Sequence, residues 1–167
     1  MKMKKVLGVV TIIAMTAVFL SGIVYAQEKM ATPAQAKDQV KKMVAYVKQV
    51  GADKAFVEFN DPKAVWNTTY KNIYTSGGTW DGVTVFHGKF PMMKGQNHIG
   101  AKDAEGKLFV QKAIEDCKKT GSATVEFKWM ITDTNKIEPR TMYCEAVDAG
   151  SKYVSKVDIC ITYAGKF

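Results

Sequence analysis

Ala123, Val125, Phe127 and Trp129 alternate with Thr124, Glu126 and Lys128, a period of two that only a strand with one buried face satisfies. Just before it, Val110, Ala113, Ile114 and Cys117 recur at helical spacing, with Lys118 and Lys119 in the last turn and Gly121 where a left-handed residue ends a helix. Val40, Met43, Val44 and Val47 form a second helical stripe, with Lys41, Lys42, Lys48 and Gln49 off it. A sheet with one apolar face must be covered, and helices with one apolar stripe must be docked. The pairing predicts an α+β domain.

The remaining segments fill in that plan. Ala52 to Phe59 reads as a short helix stopped by Asn60-Asp61-Pro62, because the residue before proline is biased away from the α region. Asn72 to Thr75 and Val83 to Phe86 read as two strands, with Ser76-Gly77-Gly78 as the turn between them. His87 to Gly106, rich in Gly, Lys, Asn and Met, is a long connection of the kind that carries function in a compact domain, and is the first place to look for a ligand. Thr132 to Lys136 reads as a turn. Met142 to Val147 and Tyr153 to Tyr163 read as a closing hairpin around Asp148-Ala149-Gly150. The expected architecture is a long N-terminal helix on an antiparallel sheet of about five strands, with a crossover helix and no internal repeat.

The N-terminus carries Lys2, Lys4 and Lys5, an apolar run from Val6 to Val24, and the small-x-small pattern Val24-Tyr25-Ala26. This is the layout of a secretory signal cleaved after Ala26. An uncleaved membrane anchor is the alternative, since the run approaches the length of a spanning helix. The expected organisation is a signal peptide over 1–26, a polar leader over 27–37 and one ligand-binding domain over 38–167, placed in the periplasm or outside the cell. Cleavage leaves 141 of the 167 residues, room for one ordinary domain. It also brings the formal charge from +8 to +5. With 47% hydrophobic and 24% charged residues, neither a disordered tail nor a polytopic membrane protein fits. Cys117, Cys144 and Cys160 are read as structural. Regular strands would point Cys144 and Cys160 to opposite sides of the sheet, which argues against their pairing.

Motifs for acyl transfer, nucleotide chemistry, thiol redox exchange, haem and zinc proteases are absent. Cys117 on an apolar stripe is a poor nucleophile candidate, and His87 and His98 lack a third ligand for a metal. Neither catalytic residues nor a cofactor are expected. The lysines are dispersed and the aromatics fall on core positions, so nucleic-acid binding is not expected. Lys89, Lys94, Lys102 and Lys107 with Arg140 form the one concentrated basic group, read as an anion-attracting rim.

Several segments, in order, resemble single Cache domains. Asp53 to Pro62 is similar to the family's helix-ending K-A-x-x-E-F-N-[ND]-P, and Trp80 to His87 to its D-x-D-G-x-x-L-A-H strand. Gly95-Gln96-Asn97 resembles G-K-N, and Asp103 to Val110 resembles D-x-D-G-K-P-F-V. Phe127-Lys128-Trp129 resembles Y-x-W, and Lys136 to Arg140 followed by Tyr143 resembles G-K-x-x-P-K-x-x-Y. The resemblance implies a PAS-like sheet with a pocket under the long loop, and a stand-alone exported sensor of a small molecule such as an organic acid or amino acid. It also implies a membrane receptor or kinase as partner. Gly88 departs from the family's proline, implying another path for the pocket loop. Ile159 to Tyr163 departs from a glycine-rich pattern, implying a smaller ligand or an altered site. The expected anion holders are Arg140, at the position of the family's pocket lysine, and His87, which would add charge below about pH 6.5. Lys94 is expected on the rim, with Trp80, Trp129 and Tyr143 as walls. A regular strand from Arg140 would put Tyr143 on the opposite face, so the two share a pocket only with a late strand start or a bulge. A protein-interaction module without a ligand, and an exported enzyme, are the other readings.

Overall fold

In the computed structural model, residues 29–131, 135–148 and the backbone of 156–164 are described. Helix α1 (Pro33–Val50) starts at a capping box, where Thr32 and Gln35 exchange side-chain to backbone hydrogen bonds and proline occupies the first turn. The helix therefore takes in Pro33 to Lys37, which the sequence reading placed in the leader. Gly51, at φ 85°, separates it from α2 (Ala52–Phe59). A short α3 (Val65–Thr68) leads into strands β1 (Ile73–Thr79) and β2 (Thr84–His87). Helix α4 (Phe109–Thr120), closed by left-handed Gly121, precedes β3 (Ser122–Ile131), β4 (Lys136–Asp148) and β5 (Lys156–Ala164). The sheet is antiparallel throughout, in the order β2-β1-β5-β4-β3. Among the described residues no helix is long and apolar enough to cross a membrane.

Two cores sandwich this sheet. On one face Val40, Met43, Val44 and Val47 of α1 and Phe56 and Phe59 of α2 pack against Phe86, Ile73, Tyr143 and Val147. On the other, Phe109, Ala113 and Cys117 of α4 cover Ala123, Val125, Phe127, Met142 and Cys144. Both helical stripes and the alternation in β3 thus lie where their periods put them.

Three sequence expectations are corrected. Gly77 and Gly78 are not a turn but lie inside β1. A Cβ on Gly77 would come within 2.3 Å of the Phe86 ring, so glycine is needed there for close packing, and the actual turn falls at Trp80 to Val83 around Gly82, at φ 90°. Strand β4 begins at Lys136, ahead of Arg140. Pro139 fits because it pairs only with β3, opposite Lys128, while pairing with β5 begins at Arg140. Finally, Cys144 is disulfide-bonded. The register sets Cys144 directly opposite Cys160. Cys117 keeps a buried thiol. The proposed signal peptide and the Asp148-Ala149-Gly150 turn, apart from Asp148, lie outside the described residues.

Candidate functional site

Alternation along β1 sends Tyr74, Ser76 and Gly78 to the α4 face of the sheet, where they floor a cavity of about 160 Å³. Helix α4 contributes Phe109, Val110, Ala113 and Ile114, and β3 and β4 contribute Phe127, Trp129 and Met142. The long loop supplies Phe90, Met93, His98 and Ala101, so the segment singled out as the first place to look for a ligand does roof a cavity. Phe109 and Phe127 stack at 4.3 Å, and Trp129 stands edge-on to both at 5.6 and 6.2 Å. One end of the cavity is thereby lined by an aromatic cluster, of which Trp129 is 38% exposed.

The polar end depends on a β-bulge. The register of β1 with β2 slips between Gly77, opposite Phe86, and Gly78, opposite Thr84. Two β2 residues then oppose one β1 step, so Phe86 enters the α1 core while Thr84 lines the cavity, a re-aiming that regular alternation forbids. Thr84 Oγ1 lies 2.9 Å from His98 Nδ1.

His87 is held from every side. Its backbone N–H donates to Asn60 Oδ1 at 3.0 Å, tying it to the end of α2. Its ring stacks on Tyr74 at 5.1 Å and abuts Phe90 at 5.3 Å. Nδ1 accepts from the backbone N–H groups of Phe90 at 3.0 Å and Lys89 at 3.3 Å. An acceptor at Nδ1 carries no proton, so the neutral ring is the Nε2–H tautomer and offers a donor to the cavity it lines. Burial pushes its pKa down to about 4, with His98 and Lys89 adding to the shift. This replaces the expected charging near pH 6.5: His87 is a neutral donor at pH 7.

The folded value lies below the unfolded one, so between them the unfolded chain binds the proton and the folded chain does not. Stability present above pH 6.5 is lost as pH falls towards 4, by roughly 3 kcal/mol at 1.36 kcal/mol per unit. NMR titration should find the His87 ring still neutral at pH 5.5, and His87→Gln should flatten this part of the stability profile. A His87 midpoint above 6 would contradict the buried, doubly accepted ring.

Of the six residues expected at the site, the cavity brings together His87 and Trp129. Trp80 lies outside it, in the β1–β2 turn, with the Lys118 ammonium 5.5 Å from its ring. Lys94 is exposed behind the 3₁₀ turn Pro91–Met93 and lines no part of the cavity. Tyr143 faces α1 on the far side of the sheet, where its hydroxyl donates to Glu145 at 2.6 Å and Lys37 covers its ring. Arg140 is on the cavity side, opposite Phe127, but lines a separate neighbouring cleft with Lys89. With β4 regular from Lys136, alternation separates Arg140 from Tyr143. Tyr74, Thr84 and His98 were missed. His98 looked like an ordinary loop histidine, although its place in the long loop was a usable signal.

Gly88 has a local reason to differ from the proline of its relatives. Its N–H donates to the Thr75 carbonyl at 2.8 Å, and a Cβ there would fall 1.8 Å from Asn67 Oδ1. Asp103 fixes the far end of the loop: its carboxylate accepts from the backbone N–H groups of Lys128, Lys107 and Glu105, which hold it below the usual carboxylate range. Among the described residues no three metal-ligating side chains converge. Cys117 is buried behind α4 and lines no part of the cavity.

The family model for single Cache domain 2 matches residues 1–154. The chain belongs to that family. Single Cache domains are extracytoplasmic, ligand-binding signalling modules. A Cache chemosensory domain studied for carboxylic acid recognition shares 14% identity, covering 80% of this chain and 92% of its own, at a TM-score of 0.61. The periplasmic sensor domain of a chemotaxis protein shares 20%, covering 77% and 87%, at 0.52. A methyl-accepting chemotaxis protein from Vibrio parahaemolyticus RIMD 2210633 shares 17%, covering 78% and 84%, also at 0.52. At such identities the likeness is one of fold. No curated protein matches the chain.

Proposed function

We propose that this single Cache domain is a non-catalytic sensor, working on the extracytoplasmic side of the membrane, of a short-chain monocarboxylate bound in the aromatic cavity. One observation carries the reading: a partly open, mostly apolar cavity is lined by an aromatic cluster and by His87, whose Nδ1 accepts two backbone bonds and leaves Nε2 as its donor. A cavity of about 160 Å³ is on the scale of an engineered one that accepts benzene. It suits an apolar tail with one polar end. His87 Nε2–H, His98 and the Thr84 and Ser76 hydroxyls are the groups to meet a carboxylate, with Trp129 and Phe127 against the tail. Among the described residues no Asp or Glu lines the cavity, so none of them would pair with the ammonium of an amino acid. This favours organic acids over amino acids. The occupied state would be read by a membrane receptor or kinase, in keeping with the family.

A thermal-shift screen of two- to five-carbon carboxylates beside amino acids of matched size tests this. A ligand that binds only the folded state, at 100 times its Kd, adds about 2.7 kcal/mol to stability. Carboxylates should raise the melting temperature and amino acids should not. Stabilisation by amino acids alone would overturn the assignment, and turnover of a hit would make the protein an enzyme.

A further inference from the structure

A second opening lies beside the aromatic cavity and shares Tyr74 as a wall. It is an open cleft of about 540 Å³ between the chain entering α1, the segment from α3 to β1, and the start of β4. Among the described residues lining it, four are cationic, Lys29, Lys71, Lys89 and Arg140, and none is acidic. Two of these cations lie over rings. The Lys29 ammonium sits 5.1 Å from the Tyr70 ring centre, and that of Lys89 6.0 Å from Tyr74. Such contacts orient a positive charge without neutralising it. Arg140 stands on the sheet, and its Nε is buried with no hydrogen-bond partner among the described residues. Arg140 lines the cleft, and a guanidinium offers an oxygen anion charge-assisted hydrogen bonds.

The frame around these charges is fixed. Asn72 both accepts from the Ala31 N–H at 2.7 Å and donates to the Ala31 carbonyl at 2.9 Å. Asn67 donates to the Phe59 and Asp61 carbonyls and accepts from the Thr75 hydroxyl. We infer that this cleft is a second site, separate from the aromatic cavity, for a small polyanion carrying two or more phosphate or carboxylate groups. Several cationic side chains lining one cleft are suited to a multivalent anion, and the guanidinium supplies paired donors for either oxyanion.

Calorimetric titration of the whole chain with inorganic pyrophosphate and with citrate tests this and separates the two chemistries. At least one should bind, weakening several-fold between 50 and 300 mM salt as screening demands. Arg140→Gln should cost at least tenfold, and Lys89→Gln should weaken binding in the same direction. Ala113→Phe, which fills the aromatic cavity, should leave this binding intact, so the two sites can fail independently. Absence of binding by both anions, or equal affinity in wild type and Arg140→Gln, would overturn the inference.

Discussion

Phe59→Ala should lower the stability of the domain by about 3–5 kcal/mol, the usual cost of removing a fully buried ring. Phe59 is 0% exposed. It touches four other rings: Phe86 at 5.1 Å, Trp66 at 5.2 Å edge-on, Tyr46 at 6.0 Å and Phe56 at 6.5 Å. Those rings come from α1, α2, α3 and β2, so no single element can move in to close the gap. For a domain of this size, each kcal/mol shifts the melting temperature by roughly 3–5 °C, and the fall should be about 10–20 °C. Denaturant unfolding measures the free energy directly, and a loss below about 1 kcal/mol would show that the core collapses around the missing ring. Phe86 immediately precedes His87, so the same variant should also weaken ligand binding by loosening the strand that presents the imidazole.

Much of this fold is legible in the sequence because burial imposes a period. The stripes at Val40 to Val47 and Val110 to Cys117, and the alternation from Ala123, each report one face of one element, and each is buried as its period requires except at Val110, which is half-buried, and Trp129, which is 38% exposed. What was not legible depends on how elements meet. Gly77 and Gly78 carry the composition of a turn, yet Gly77 is glycine because the Phe86 ring leaves no room for a side chain, a fact of the neighbouring strand. The bulge that turns Thr84 into the cavity is likewise a property of the pair of strands. Cys144 and Cys160 were read from the neighbours of each on its own strand, whereas their juxtaposition is set by register.

The site divides along the same line. His87 was found because it ends a strand at the mouth of a long loop, and Trp129 because it continues an alternation into that loop's territory. Arg140 and Tyr143 were joined by their spacing from a family motif, and the regular start of β4 at Lys136 separates them. His87's low pKa was hidden for a further reason: it follows from burial, and the ring stacked on it, Tyr74, comes from the neighbouring strand, which no local pattern reports.

The second large effect is expected at the cavity. Ala113 is 1% exposed on α4 and lines the cavity wall. Ala113→Phe should place a phenyl ring in about 160 Å³ of space and exclude any other occupant. Overpacking of this kind costs roughly 1–3 kcal/mol, less than a typical domain's 5–15 kcal/mol, so the protein should stay folded. Isothermal titration of wild type and Ala113→Phe with propionate, and with alanine as the same skeleton bearing an ammonium, puts the proposed function to its most direct test. At a ceiling of about 1.5 kcal/mol per heavy atom, propionate can bind no more tightly than the micromolar range. Wild type should bind propionate at one site, at least tenfold more tightly than alanine, and Ala113→Phe should bind neither. Propionate affinity unchanged in Ala113→Phe, or alanine bound as well as propionate, would contradict a monocarboxylate held between the aromatic cluster and His87.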